Sequence, residues 1–132
     1  MSSKHPPARE QRRTGSGKSE RYIQPSILVG LRRRASYGYE IIQTIQEFGF
    51  VEGQAPPGMI YRHLHQLEAD GLVSSEWNTE ATGPAKRMYS LTAEGKEVLA
   101  LWAIYMDKQA RALSAFVEQY RSLRKEGSDE AG

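Results

Sequence analysis

From residue 99 onward, Leu99, Trp102, Met106, Gln109, Leu113, Phe116 and Tyr120 step along the chain by 3, 4, 3, 4, 3, 4. That is an a/d heptad pattern held for three heptads, and only a helix brings such residues to one side. The flanking positions Val98, Tyr105, Ala112 and Ala103, Ala110, Val117 are apolar too, so the stripe is too wide for a plain two-stranded coil. A helix of about 30 residues is roughly 45 Å long. A preceding body of about 70 residues cannot cover all of it. The helix is therefore expected to pack partly on its own chain and partly on a second copy, so that Leu99, Trp102, Met106, Gln109, Leu113, Phe116 and Tyr120 form a homodimer interface. Thr92 is its expected cap, with Ala93-Glu94-Gly95 in the first turn.

A second helix is legible at Pro56-Pro57-Gly58-Met59-Ile60-Tyr61-Arg62-His63-Leu64-His65-Gln66-Leu67-Glu68-Ala69-Asp70-Gly71. At 100° per residue, Ile60, Leu64 and Leu67 share a face, with Tyr61 and Glu68 beside them. Met59, Arg62, Gln66 and Ala69 point the other way, flanked by His63 and His65. Two prolines open the helix and Gly71 is a natural stop. Its polar face carries no acid until the last turn, which suits a DNA major groove.

Two further helices precede it. Tyr22 to Arg34 presents Ile23, Ile27, Leu28 and Leu31, and ends in Arg32-Arg33-Arg34, either a solvated run or a patch for a phosphate backbone. Tyr37 to Phe48 presents Ile41, Ile45 and Phe48, with Ser36 as its expected N-cap; Gly38 would admit close approach of another backbone. After Gly71, Leu72 to Trp77 and Lys86 to Leu91 flank a Gly-Pro loop and read as a β-hairpin. The expected fold is mainly α: a winged helix-turn-helix with a small β-hairpin wing and a long C-terminal dimerisation helix. The expected divisions are a disordered basic tail over residues 1–20, the winged domain over 21–91, the dimerisation helix over 92–125 and a polar, fraying tail over 126–132.

Charge is unevenly placed. Residues 1–21 carry a net +4 and the remainder −2, so a polyanionic partner suits the arm and nearby patches. The arm is either solvated or in contact with phosphates, and Arg9 and Arg13, four apart, would converge on one phosphate if it turned helical. Without cysteine, disulfides, thiolate metal sites and cysteine nucleophiles are excluded. No apolar run approaches the length of a membrane span, and the basic, Pro-rich start lacks the apolar core of a secretory signal, so a cytoplasmic protein is expected. His63 and His65 diverge by roughly 160° on a helix and cannot share a metal. No residue stands out as a catalytic nucleophile or base, and no cofactor or metal is expected.

Double-stranded DNA is the expected partner. Arg62 can fork onto guanine, Gln66 can pair with adenine and Met59 can touch a thymine methyl, with His63 and His65 beside them. Tyr37, Tyr39 and Tyr61 sit near helix starts, where hydroxyls and free amides reach phosphates. Lys86 and Arg87 stand at the base of the wing. Each has a plainer alternative: Tyr61 as core, Tyr39 packed on the first helix, Arg87 paired with Glu76. Trp102, Tyr105 and Met106 either belong to the dimer core or line a gap between two helices that takes a flat apolar effector. A protein-interaction module using the same body without DNA is the alternative of another class.

Three stretches resemble one known family. Ser36-Tyr37-Gly38-Tyr39-Glu40-Ile41 resembles the H/S-x-G-Y-E-I stretch of PadR-family transcriptional regulators. Ile60 to Val73 resembles that family's L-Y-x-x-L-x-x-L-E-x-x-G-L-V, and Gly83 to Gly95 looks like its wing and the start of its C-terminal helix. Order and spacing agree from about residue 22 to 120. Tyr22-Ile23-Gln24-Pro25, Phe48-Gly49-Phe50 and Gly83-Pro84-Ala85-Lys86-Arg87 look closest to the subgroup labelled poly-β-hydroxybutyrate-responsive repressors. The resemblance implies a dimeric winged-helix repressor whose ligand-responsive members take small apolar molecules. Arg9-x-x-x-Arg13, outside the family core, resembles an arginine pair of some cyclic-dinucleotide binders and would make the tail a second-messenger site.

Overall fold

The computed structural model describes residues 20–51, 53–79 and 83–131, with side chains through 127. The basic arm over residues 1–19, with Arg9 and Arg13, lies outside the described residues, as does the wing tip at 80–82. The elements in chain order are α1 (Ile23–Arg33), β1 (Ser36–Tyr37), α2 (Gly38–Gln46), α3 (Pro57–Ala69), β2 (Val73–Asn78), β3 (Lys86–Leu91) and α4 (Ala93–Ala131). The chain divides into two units between Ala100 and Leu101.

The core of the first unit is the set of faces read from periodicity. Ile23, Ile27, Leu28 and Leu31 of α1, Ile41 and Ile45 of α2, and Ile60, Leu64 and Leu67 of α3 are all buried. Val73 and Tyr89 extend the core under the sheet, and Val51 and Ala55 bury the α2–α3 loop. The helices close as sequence chemistry dictates. Pro57 stands at N1 of α3, where a missing N–H costs nothing. At its other end Gly71 takes φ 79°, its N–H reaches Glu68 O at 3.1 Å, and Leu72 N–H reaches Leu67 O at 3.0 Å. That pair of bonds is the Schellman stop that only a left-handed residue permits. A Cβ at Gly71 would meet nothing within 4 Å, so Gly71→Ala is expected to cost about 1–2 kcal/mol through backbone strain alone; urea melts would read it. Thr92 caps α4 as expected, its Oγ1 accepting from Gly95 N–H at 2.9 Å and donating to Gly71 O at 2.7 Å.

Four expectations need correction. Ser36 is not an N-cap. It pairs with Tyr89, and Tyr37 with Met88, as a third, antiparallel strand, giving the order β1-β3-β2. α2 is shorter than Tyr37 to Phe48 and starts at Gly38, with the Glu40 carboxylate accepting the Tyr37 N–H at 2.9 Å. Gly38 admits a side chain rather than a backbone: a Cβ there would overlap the Tyr61 ring. Finally, α4 runs on to Ala131 instead of ending at residue 125. Nothing in the last turns forbids a helix: there is no proline, and a single Gly127 costs only about 1 kcal/mol.

The second unit is the remainder of α4. Trp102 is buried and meets Tyr105 edge-on at 6.0 Å, with Met106 and Gln109 half-buried. Beyond them Leu113, Phe116, Tyr120 and Leu123 are 57–72% exposed. No described helix is long and apolar enough to cross a membrane.

Candidate nucleic-acid interface

α3 turns Ile60, Leu64 and Leu67 inward, which leaves Tyr61, Arg62, His65 and Gln66 exposed and Met59 half-buried. The acids come only at its C-terminal end, and both have partners in the chain. Glu68 accepts the Ser75 hydroxyl at 2.7 Å, and Asp70 accepts from Gln66 Nε2 at 3.1 Å. Ser75 in turn accepts from Arg87 Nε at 2.8 Å, so a relay from Arg87 through Ser75 to Glu68 ties the wing to the last turn of α3. Arg87 therefore serves Ser75 rather than Glu76, and its guanidinium lies 5.0 Å from the centroid of its cross-strand neighbour Trp77. Trp77, 59% exposed, was read only as a strand residue and stands beside the wing's cation.

A second group gathers where α2 begins. β1 sets Tyr37 against β3, and one residue into α2 the Tyr39 ring stacks on it at 5.9 Å with planes 8° apart. The Lys86 ammonium sits 5.6 Å from the Tyr37 centroid and 5.3 Å from that of Tyr39. Such contacts hold a cation in place while leaving it exposed. Asn78 Nδ2 donates to the Tyr37 hydroxyl at 2.6 Å. Tyr61 lies over Gly38, and the three tyrosines with Lys86, Arg87 and Tyr89 line an open depression of about 210 Å³. Tyr61 is thus both packed and 39% exposed, and Tyr39 packs on Tyr37. Burial pushes the Tyr89 phenol above its ordinary range, so it stays neutral on the floor of the depression.

Arg62 and His63 have a partner that sequence reading missed. Glu20 Oε1 lies 3.0 Å from Arg62 Nη2 and 3.0 Å from His63 Nε2. Burial alone would raise the Glu20 carboxyl; the hydrogen bonds from His63 and Arg62, with their charge, outweigh it and hold it below the ordinary value. His63 is accordingly turned toward its own chain, while Arg62 keeps an exposed guanidinium. The Arg32-Arg33-Arg34 run is partly engaged: Arg33 pairs with Glu47 at 3.4 Å and Arg34 with Glu40 at 3.8 Å.

Residues 27–101 match the Transcriptional regulator PadR-like family. The chain belongs to the PadR family. Its members are transcription regulators. A PadR-family regulator from Clostridium difficile R20291 has a similar solved structure, with a TM-score of 0.64 at 27% identity over 73% of this chain and 98% of that one. The Bacillus subtilis PadR, solved in complex with operator DNA, superposes with a TM-score of 0.56 at 30% identity, covering 64% of this chain and 48% of that one. A transcriptional regulator of Mycobacterium tuberculosis is 36% identical over 63 residues, which is 48% of this chain and 55% of the relative's length. The chain thus spans about half the length of the curated relative it matches. In this PadR-family chain Glu20, Ser75 and Asn78 join the site without having been expected there. Asn and Ser opposite charged or phenolic strand neighbours were a readable signal; Glu20 was not.

Proposed function

We propose that the protein is a dimeric, sequence-specific DNA-binding repressor that reads a major groove with α3 and grips flanking phosphates with Tyr37, Tyr39, Lys86 and Arg87. The observation that carries this reading is the exposed Arg62–His65–Gln66 face of α3, which carries no acid before the helix's last turn. Arginine and glutamine supply the bidentate forks that distinguish guanine and adenine. The operator complex of the Bacillus subtilis relative supports the same partner. Two copies would join through the bare apolar face of α4, placing two reading helices on neighbouring turns of one duplex. Such a protein acts in the cytoplasm, on chromosomal DNA.

Trp102, Tyr105 and Met106 remain the candidate site for a flat apolar effector. The buried Trp102 ring, edge-on to a half-buried Tyr105, suits an aromatic ligand held between two copies of α4.

A gel shift with the DNA upstream of the protein's own gene, at two salt concentrations, tests the reading. A discrete complex that survives excess random DNA is expected; binding indifferent to sequence would refute it. Lys86→Ala is expected to weaken binding to operator and random DNA alike and to lower the salt slope by about one ion. Titration of both duplexes against salt measures that slope.

A further inference from the structure

Glu20, Gln24, His63 and Arg62 form a polar cluster that joins the segment before α1 to α3, and neither the core nor the phosphate grip uses it. We propose that Glu20 is a positioning residue: it fixes one edge of the Arg62 guanidinium so that the opposite edge is aimed at a base. This rests on the reading of α3 as the DNA-reading helix.

The cluster is ordered from the inside outward. Gln24 Nε2 lies 3.2 Å from His63 Nδ1. On the other side of the ring His63 Nε2 lies 3.0 Å from Glu20 Oε1, and an ionised carboxylate accepts. The same oxygen accepts from Arg62 Nη2 at 3.0 Å. Side-chain exposure falls in the same sense, 62% for Arg62, 19% for Glu20 and 12% for His63. The anchor is inside and the cation is outside.

A brake on DNA binding would look different. It would bury the guanidinium or occupy both of its edges. Among the described residues, Arg62 gives only Nη2 to Glu20. A guanidinium presents five N–H groups in a plane, and guanine O6 and N7 need two parallel ones. A carboxylate bound at Nη2 restrains the side chain and leaves that pair available. Because Glu20 is largely buried, its charge is set back from the phosphates of an approaching duplex.

The test uses the full-length protein to select duplexes from a random-sequence pool, with the unmodified chain, Arg62→Ala, Glu20→Gln and Gln24→Ala run in parallel. The enriched duplex and a scrambled one are then titrated by fluorescence anisotropy. Glu20→Gln is expected to relax preference at the same base pair as Arg62→Ala. It should lower the ratio of selected to scrambled affinity on the order of tenfold. Added to Arg62→Ala, it should cause no further loss, because the two act as one unit. Gln24→Ala loosens the anchor without removing charge, and a smaller relaxation at that same base pair is expected; it keeps the test decisive if Glu20→Gln fails to fold. A motif altered by Arg62→Ala but untouched by Glu20→Gln and Gln24→Ala overturns the proposal while the DNA reading stands. Tighter binding of both duplexes by Glu20→Gln with base preference intact also overturns it and makes Glu20 a brake. No enriched motif from the unmodified protein defeats the DNA reading itself, and the proposal with it.

Discussion

Replacing Leu113 and Phe116 together by Glu is expected to turn the protein into a monomer and to weaken operator binding by a hundredfold or more. Both residues lie on the bare part of α4, where Phe116 is 72% exposed. Full burial of a Leu or Phe side chain is worth about 1.5–3 kcal/mol, and a two-fold interface counts each one twice. Four carboxylates placed there would lose that gain and repel one another. The helix itself should survive, since Glu is a good helix former at an exposed position. The DNA effect follows from tethering: two linked reading helices bind far more tightly than either alone, with no new contact. Sedimentation velocity and anisotropy on the same samples read both outcomes. A dimer that persists would show that the apolar stripe pairs nothing.

Arg62→Ala is expected to cost about 1–3 kcal/mol of discrimination between operator and random DNA, with relaxed preference at one base pair. The loss differs in kind from that of Lys86→Ala. Lys86 is held against two tyrosine rings at the base of the wing, where a phosphate carries charge but no sequence. Arg62 projects from the middle of α3, the helix proposed to face base edges. Equal weakening on both duplexes for Arg62→Ala would remove it from the reading role. Fold is not at issue in that experiment, because the Arg62 side chain is 62% exposed and takes no part in the apolar core.

Much of this was legible in the chain because local chemistry and global fold agree. Leu64 is buried where a 3.6-residue period puts it, Gly71 stops α3 where a left-handed residue is needed, and Thr92 caps α4. β1 was not legible: two residues have no alternation to read, and Ser36–Tyr37 extends only because the edge of β3 offers partners. Ser36, a good cap in isolation, instead has its backbone drawn into that ladder. Charge alone offers Arg87 a partner in Glu76 as the plainer alternative to a phosphate. The sheet register sets it opposite Trp77 and diagonal to Ser75, which took its hydrogen bond. Glu20 lies in a polar stretch with no periodicity, and its partner Arg62 is 42 residues away. Only tertiary structure brings them together.

The protein contains no cysteine, so Ala69→Cys would place a unique thiol on the exposed side of the last turn of α3. An iron chelate attached to it would cut DNA wherever that turn lies. With a duplex selected by the unmodified protein, cleavage is expected in the major groove at two places about one helical turn, roughly 10–11 base pairs, apart. Cuts confined to the minor groove, or scattered without register, would contradict a paired, groove-reading α3.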